Sequence, residues 1–414
     1  MEITEVKAAV VGAGASGLGA AISCSETLGK GSTVLLEKQN KAGRKLLATG
    51  NGRCNISNEN ISAQHYHGDV KLISSVLSEF PVTAMREFMR KTGVLLRSDS
   101  EGRIYPYSNH AATVLDALQN ECLRQNAEIK CGFHIKSIKK DGHKFIIQSE
   151  SSEIRSEHLI FASGSAAAPQ LGADESGCSL LGQLGIKHTP LFPALCPVIT
   201  KEKRKKLKGV RAKGCVSLFA DGKKINEQEG EIQFTENGIS GICVFQLSRQ
   251  VSEFLTLGTA DGIKRNKLYI SADLMKEYSF PEICEYLNER KKLLREYDSA
   301  ELLSGALNRQ LSQTLAQQCG LSGKPCQNID NKDIKKLAGT VKSFVFTPTD
   351  TGGLKSAQVC AGGVGSDEVI PQTLRAGRIK NLYICGELLN VDGDCGGFNL
   401  HFALGSGLLA GKLQ

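Results

Sequence analysis

Three glycines near the start of the chain have the spacing of a dinucleotide-binding turn. They are Gly12, Gly14 and Gly17, and they follow a short apolar run, residues 8–11. The first glycine would make the tight turn, the second would let a pyrophosphate approach the backbone, and the third would let a helix pack on the sheet. The N-terminus of that helix would direct unpaired N–H groups at the phosphates. The pattern therefore predicts a strand, a phosphate-binding turn and a helix.

An acid stands at the expected place after this turn. A second apolar run, residues 33–36, ends at Glu37, twenty residues beyond Gly17. A carboxylate there would accept hydrogen bonds from an adenosine ribose. It would repel a 2′-phosphate, because two negative groups would face each other at low dielectric. The cofactor of this first fold is therefore predicted to be FAD or NAD.

A second constellation with chemical potential lies near the C-terminus. The apolar run 382–385 leads into Gly386 and Glu387, and residues 396–399 read Gly-Gly-Phe-Asn before a final apolar segment. An acid at a strand end could bind a ribityl chain. The N–H groups at the start of the last helix could stabilise negative charge at the N1/O2 edge of a reduced flavin. The pattern favours FAD.

The elements that would position these residues predict an α/β fold. Residues 158–161 form a buried strand that ends at a small-residue turn, and the segments 70–91 and 111–125 have helical spacing. Residues 128–149 are predicted as a hairpin, and residues 214–250 as strands, including the run 242–245. Residues 280–341 are predicted to be helical. We expect the chain to divide into four domain segments. These are a first part of the FAD domain (1–190), a β-rich insertion (191–275), a helical insertion with a return strand (276–343) and a second part of the FAD domain (344–414).

Composition limits the class of protein. The 414 residues are 41% hydrophobic and 23% charged, and no apolar run approaches the roughly 20 residues that span a bilayer. The fourteen cysteines form no C-x-x-C pair. This usage is typical of a reducing compartment, so we expect a cytoplasmic protein with no bound metal and no membrane insertion.

The net charge of +8 is concentrated in one segment. Residues 201–213 carry eight basic side chains against one acid, which accounts for +7 of the +8. A solvated surface loop explains this pattern, and so does a contact for an anionic partner such as RNA. No aromatic residues are interleaved there, which weighs against base stacking.

The motifs taken together resemble one family, the YhiN/BaiN-like flavoproteins, whose common label is NAD(P)/FAD-dependent oxidoreductase. The resemblance covers essentially the whole chain and rests on residues 43–45 (Gly-Arg-Lys), 50–55 (Gly-Asn-Gly-Arg-Cys-Asn), 230–241, 361–364 and 386–399. It implies a two-dinucleotide-binding-type, Rossmann-like FAD domain with an inserted β-barrel and helical domain.

The resemblance also implies which residues line the FAD. These are Ala15, Ser16, Glu37, Arg44, Lys45, Gly50, Arg53, Cys54, Asn55, Ile135, Gly164, Gly386, Glu387, Gly397, Phe398, Asn399 and Leu400. We expect Lys38, Asn51 and Ala162 to belong to the same site, together with the three glycines of the turn. The chain departs from the family at residues 162–164 (Ala-Ser-Gly where relatives often carry Thr-Gly-Gly) and at Cys360, where relatives commonly carry Thr.

The expected reaction is a flavin-dependent reduction. No second strand-GxGxxG-helix occurs, so NAD(P)H would dock transiently over the flavin as a co-substrate. The candidate proton donors are His401, Cys395, Cys54 and Tyr105, each of which is as readily explained as a structural residue. The catalytic residue is therefore left unassigned.

Three substrate classes remain open. The resemblance implies reduction of a carbon–carbon double bond conjugated to a ketone, with a 3-oxo-4,6-diene bile acid or steroid, free or linked to coenzyme A, as substrate. Some related proteins are linked to reduction of uridine to dihydrouridine in ribosomal RNA, and the basic segment 201–213 favours that alternative. Oxidation of small amines fits the family label alone.

Overall fold

The structure is a computed structural model that describes residues 2–414 and divides into two compact units. Unit 1 contains the chain up to Leu191 and again from Gln358 to Gln414, and unit 2 contains Phe192–Ala357. Unit 2 thus interrupts unit 1 in sequence. The finer division of the insertion into separate β-rich and helical domains stays a prediction.

The α-helices of residues 2–414 are α1 (Ala15–Leu28), α2 (Arg44–Ala48), α3 (Val70–Glu79), α4 (Val82–Lys91), α5 (Ala111–Arg124), α6 (Ser176–Gln183), α7 (Ile242–Leu257), α8 (Phe280–Leu293), α9 (Arg309–Cys319), α10 (Asn331–Lys342), α11 (Gly353–Ser356) and α12 (Phe398–Gly411).

The strands are β1 (Glu2–Val11), β2 (Thr33–Glu37), β3 (Ser57–Asn58), β4 (Tyr66–Gly68), β5 (Leu96–Ser98), β6 (Arg103–Pro106), β7 (Glu128–Cys131), β8 (Ser137–Asp141), β9 (Lys144–Gln148), β10 (Ser152–Phe161), β11 (Phe192–Ala194), β12 (Val198–Thr200), β13 (Arg211–Ala220), β14 (Lys223–Phe234), β15 (Gly238–Ser240), β16 (Thr259–Ala260), β17 (Ile263–Lys264), β18 (Leu268–Asp273), β19 (Phe344–Phe346), β20 (Pro348–Thr351), β21 (Val359–Ala361), β22 (Val369–Ile370), β23 (Arg375–Ala376), β24 (Leu382–Ile384) and β25 (Val391–Gly393).

The central sheet of unit 1 is built on five parallel strands in the order β24-β10-β1-β2-β7. In register, Val11 of β1 is paired with Phe161 of β10 and with Leu36 of β2. The carboxyl ends of these strands therefore meet at one edge of the sheet, which is where an open α/β sheet binds its ligand.

Two predictions of local structure in unit 1 need correction. The predicted hairpin 128–149 is shorter, because residues 128–131 form β7, which pairs in parallel with β2, and the hairpin consists of β8 and β9 alone. The predicted helical segment 70–91 is two helices. Pro81 caps the second one, since a proline has no N–H to continue the first.

The last helix packs against the first through small residues. A Cβ on Gly407 would lie 2.1 Å from the Ser16 carbonyl oxygen, and one on Gly411 would lie 2.6 Å from that of Ala20. No side chain larger than hydrogen fits at either position. The C-terminal glycines thus serve the contact of α12 with α1, and this contact fixes the starts of the two helices relative to each other.

Unit 2 contains a seven-stranded antiparallel sheet in the order β19-β18-β13-β14-β15-β12-β20. Its apolar face and the helices α7 to α10 share one core. The strand prediction for residues 242–245 is wrong, because this run begins α7. Its apolar residues recur at helical spacing, and Cys243, Val244, Leu247 and Val251 are all buried.

Within residues 2–414, none of the helices has the length and apolar character needed to cross a lipid bilayer.

Candidate functional site

The three glycines of the first turn have three different environments. Gly12 has φ 99°, and a Cβ there would lie 2.5 Å from the Ala162 carbonyl oxygen. A Cβ on Gly17 would lie 1.8 Å from the Gly12 carbonyl oxygen, whereas a Cβ on Gly14 would have no atom within 4 Å. Gly12 and Gly17 are thus required by packing. Gly14 instead borders open space at the N-cap of α1, where no side chain caps the helix.

Glu37 ties the end of β2 to this turn. Its Oε2 accepts a hydrogen bond of 2.9 Å from the Ala13 N–H, and its Oε1 accepts one of 2.8 Å from the Gln39 N–H. Each carboxylate oxygen has a further lone pair, so the side chain can hold the turn and still accept from a ribose hydroxyl.

A second acid, Glu387, gathers groups from three distant segments of unit 1. Its Oε2 accepts from the Lys45 Nζ at 2.7 Å and from the Ser165 Oγ at 2.9 Å. The Cys360 thiol neighbours Ser165, and burial raises its pKa above the ordinary value. Cys360, at which the chain differs from the family, thus lies near Glu387, the residue predicted to bind the ribityl chain.

The loop after α2 has an unusual backbone. Gly50, Asn51 and Cys54 all have left-handed conformations, with φ of 57°, 56° and 61°. The Arg53 guanidinium covers the Tyr105 ring at 4.9 Å and donates to the Gly50 carbonyl. Strain of this kind persists only where the surroundings fix it, and it is concentrated at functional sites.

An unpartnered polar atom lies beside the start of α12. The Asn55 Oδ1 is buried without a hydrogen-bond partner and would lie 2.7 Å from a Cβ on Gly397, whose φ is 101°. Gly397 is the N-cap of α12, and no side chain caps this helix either. The Asn399 amide exchanges two hydrogen bonds with the Gly393 backbone, so Asn399 holds the preceding strand in place.

The four candidate proton donors are all poorly placed for proton exchange at neutral pH. The His401 ring is fully buried between the Ser57 hydroxyl (2.8 Å) and the Phe80 carbonyl (2.8 Å), and burial lowers its pKa to about 4. Burial raises the pKa of Cys54 to about 11 and that of Cys395 to about 12. Tyr105 is 6% exposed.

Most predicted cofactor residues come together at the sheet edge. Direct contacts or close approaches join the turn at 12–17 to Glu37, Ala162 and Gly386, Lys45 to Glu387, and Asn55 to Gly397. Three predicted residues have other local partners. Lys38 pairs with Asp174 at 2.6 Å, Arg44 donates to Gln39 and to the Gln170 carbonyl, and Ile135 packs partly buried against the core.

The remaining predicted positions differ in exposure. Ala15 and Gly164 are partly exposed, and a Cβ on Gly164 would meet no atom within 4 Å. Phe398 and Leu400 are buried in the first turn of α12.

Sequence reasoning missed several polar residues around this edge. They are Ser165, which binds Glu387, and the trio His65, His67 and Asp394 beside Phe398. The two histidines at 65 and 67 were a usable signal in the sequence, although His65 lies just before β4 and only His67 lies in it.

The residues present fit an FAD. The first helix offers uncapped N–H groups beside the open space at Gly14, and the acid Glu37 stands at the end of β2. The second helix start has the unpartnered Asn55 oxygen beside Gly397, and Glu387 lies on the segment that leads to it. Both ends of a dinucleotide would find suitable donors and acceptors here.

Comparison with known proteins supports this interpretation. The family described as HI0933-like protein Rossmann domain matches residues 6–413. The chain is 34% identical over 406 residues to a 3-dehydro-bile acid delta(4,6)-reductase of Clostridium scindens, which covers 97% of each chain. It is 26% identical over 407 residues to a ribosomal RNA dihydrouridine synthase of Haemophilus influenzae, which covers 96% of this chain and 95% of that protein.

Among solved structures, the 3-ketosteroid-delta4-(5alpha)-dehydrogenase of Rhodococcus jostii in complex with 4-androstene-3,17-dione superimposes with a TM-score of 0.51. The match covers 98% of this chain and 96% of that one at 13% identity, so it bears on the fold alone. The family resemblance and the predicted Rossmann-type FAD-binding fold class are confirmed.

Proposed function

Since the chain belongs to the HI0933-like Rossmann family, we propose that it is an FAD-dependent oxidoreductase that uses NAD(P)H to reduce a carbon–carbon double bond conjugated to a ketone. The proposed substrates are 3-oxo-4,6-diene bile acids or related steroids. One observation carries the proposal, namely the 34% identity to a bile acid delta(4,6)-reductase along 97% of both chains.

The chain's own residues have distinct roles in this proposal. The N-terminus of α1 beside Gly14 would bind the pyrophosphate, Glu37 the adenosine ribose, and Glu387 the ribityl chain. The start of α12 would place backbone N–H groups at the flavin ring edge. Bound FAD supplies hydride transfer, and the protein orients the substrate, excludes water and provides a proton.

A second candidate is reduction of uridine in ribosomal RNA, which is favoured by the exposed lysines Lys203, Lys205 and Lys206. Three other basic residues of the segment have partners within unit 2, and the Lys203 Nζ itself lies 3.4 Å from the Asn237 carbonyl. Arg204 lies over the Phe344 and Phe346 rings at 4.0 and 4.5 Å, and burial lowers its pKa to about 10. Lys208 pairs with Glu236 and Arg211 with Glu231. The segment therefore offers less free charge than its composition indicates.

The test uses the reduced holoenzyme. We expect a protein reduced by NAD(P)H without oxygen to be re-oxidised rapidly by a 3-oxo-4-ene or 3-oxo-4,6-diene steroid, with one saturated bond formed per flavin. Ribosomal RNA and small amines serve as the competing substrates in parallel reactions. Rapid conversion of uridine, with no re-oxidation by any steroid enone, would overturn the proposal.

A triple variant separates the two candidates further. Changing Lys203, Lys205 and Lys206 to Gln should leave the rate of steroid reduction within about twofold of wild type. A steroid has no phosphate group for these lysines to bind, whereas RNA has many. Arg204 is left unchanged because its guanidinium packs on the core residue Phe344. An RNA activity would fall steeply in this variant and would also weaken with rising salt.

A further inference from the structure

Two histidines and one aspartate form a hydrogen-bonded cluster at the start of α12. The His65 Nδ1 lies 3.0 Å from the Asp394 Oδ2, and the His67 Nε2 lies 3.2 Å from the Asp394 Oδ1. We call these three residues the histidine cluster. Their side chains are 29%, 38% and 21% exposed, so water reaches all of them.

The backbone explains why the three side chains meet. Strand β4 pairs antiparallel with β25, with Tyr66 opposite Gly393 and His67 opposite Asp392. Asp394 follows β25 directly, and its N–H donates to the His65 carbonyl at 2.9 Å. One carboxylate is thereby placed between two imidazoles that lie two residues apart.

The cluster is attached to residues of the candidate flavin site. The His65 ring stacks on Phe398 with centroids 4.5 Å apart, and the Tyr66 hydroxyl donates to the Phe398 carbonyl at 2.9 Å. The Asn399 amide also donates to the Asp394 carbonyl. A movement of the start of α12 would therefore displace the cluster, and a movement of the cluster would displace the start of α12.

The aspartate fixes which nitrogens carry protons. An ionised carboxylate only accepts hydrogen bonds, so His65 is protonated at Nδ1 and His67 at Nε2. The second nitrogen of each ring is then the one that gains and loses a proton. The His65 Nε2 lies 3.4 Å from the Gln64 amide nitrogen, which can donate to it.

Three titratable neighbours of the cluster are unsuited to proton exchange at neutral pH. Cys395 and Tyr66 follow and precede cluster residues, and burial raises the pKa of both thiol and phenol. His401 on α12 is held neutral with both nitrogens engaged. In residues 2–414 no group of three or more His, Cys, Asp or Glu side chains has the arrangement of a metal site.

We propose that the histidine cluster is the proton source for the double-bond reduction. This inference rests on the proposed function. Bound FAD, once reduced by NAD(P)H, would supply the hydride (one proton with two electrons) that bonds to the β-carbon of the enone. An imidazolium of the cluster provides the proton that bonds to the α-carbon as the C=C π bond breaks. Water then reprotonates the imidazole, and Asp394 keeps both rings oriented throughout.

The test compares His65→Gln, His67→Gln, the double variant and Asp394→Asn with the control His143→Gln. His143 is an exposed residue at the turn between β8 and β9, and its replacement should change nothing. Reduced holoenzyme is mixed with steroid enone, and the rate of re-oxidation is measured from pH 5 to pH 9. FAD affinity and the rate of flavin reduction by NAD(P)H are measured in the same variants.

We expect the double variant to reduce the steroid about 100-fold to 10,000-fold more slowly, which is the usual contribution of a general acid. FAD affinity and flavin reduction should stay within about threefold of wild type, because neither step needs this proton. The part of the pH dependence that comes from loss of an imidazolium should disappear in the double variant. In ¹⁵N NMR of the wild type, the His65 Nδ1 and His67 Nε2 should be protonated, and Asp394→Asn should change both signals.

Four outcomes decide the matter. A double variant with steroid reduction within about threefold of wild type and the same pH profile would overturn the assignment while the proposed function stands. Unprotonated carboxylate-facing nitrogens in the NMR spectrum would overturn it as well. If the double variant lost FAD, each single variant would have to lose steroid reduction while keeping FAD affinity and flavin reduction. Single variants without this selective loss of steroid reduction would overturn the assignment. A wild-type enzyme that reduces no enone would refute the proposed function and this inference together.

Discussion

Replacing Gly14 by alanine should separate cofactor binding from folding. The new Cβ would meet no atom within 4 Å, and φ at this residue is −80°, which alanine adopts without strain. Alanine reduces the conformational freedom of the unfolded chain, which stabilises the folded protein by about 0.4–1 kcal/mol. Alanine is also a poorer N-cap than glycine, which destabilises the protein by a similar amount. The free energy of unfolding of the variant apoprotein should therefore lie within about 1 kcal/mol of the wild-type value.

Binding of FAD should respond very differently. The methyl group would occupy the space in which a pyrophosphate approaches the N-terminus of α1, so charge-assisted hydrogen bonds worth about 1.5–3 kcal/mol each would be lost. A loss of about 3 kcal/mol corresponds to an FAD affinity roughly 100-fold weaker. The affinity is measured by titrating apoprotein with FAD, and stability by urea unfolding of the same apoprotein.

Two matched glycines complete the experiment. Gly17→Ala would place a Cβ 1.8 Å from the Gly12 carbonyl oxygen, so the apoprotein itself should lose about 1–3 kcal/mol or more. Gly182→Ala, in open space on α6, should leave FAD affinity unchanged. A Gly14→Ala protein that binds FAD as tightly as wild type would refute the assignment of this turn to the pyrophosphate.

Three further perturbations test individual contacts. Arg204→Ala should lower the free energy of unfolding by about 1–3 kcal/mol, because cation–π contacts and packing on Phe344 are lost, whereas Lys205→Ala should change it by less than about 0.5 kcal/mol; urea unfolding measures both. His401→Gln should flatten the pH dependence of stability. The folded pKa of His401, about 4, lies below the unfolded value near 6.5, so the unfolded state gains the proton first as the pH falls. The wild-type free energy of unfolding should therefore fall by up to about 3 kcal/mol between pH 6.5 and pH 4. The variant should not show this decrease. Glu387→Gln should weaken FAD binding about tenfold in the same titration, since a charged acceptor becomes neutral, and an unchanged affinity would exclude Glu387 from the cofactor site.

The fold and the site were predictable from sequence where a residue type has one dominant physical use. The glycine turn after β1, the acid at the end of β2 and the strand β24 before Gly386 were all predicted, because apolar runs and glycines at fixed spacing leave few alternatives. The α7 helix was mistaken for a strand. Its first four residues are apolar in a row, and a short run of this kind does not distinguish a buried strand from a buried helix.

Other features depend on contacts between segments that lie far apart in the chain. The packing of Arg204 on two phenylalanines more than 130 residues away has no local signature, so the segment 201–213 looks uniformly solvated in the sequence. The pairing of Asp394 with His65 and His67 likewise follows from the antiparallel register of β4 and β25. Such register is set by tertiary packing, and a single sequence does not specify it.

The central claim is that one FAD lies between the start of α1 and the start of α12. A crystal structure of the chain with FAD tests it most directly. The account predicts the pyrophosphate within hydrogen-bond distance of the N–H groups after Gly14, and the N1/O2 edge of the isoalloxazine at the N–H groups after Gly397. A flavin bound elsewhere, or a chain that binds none, would contradict it.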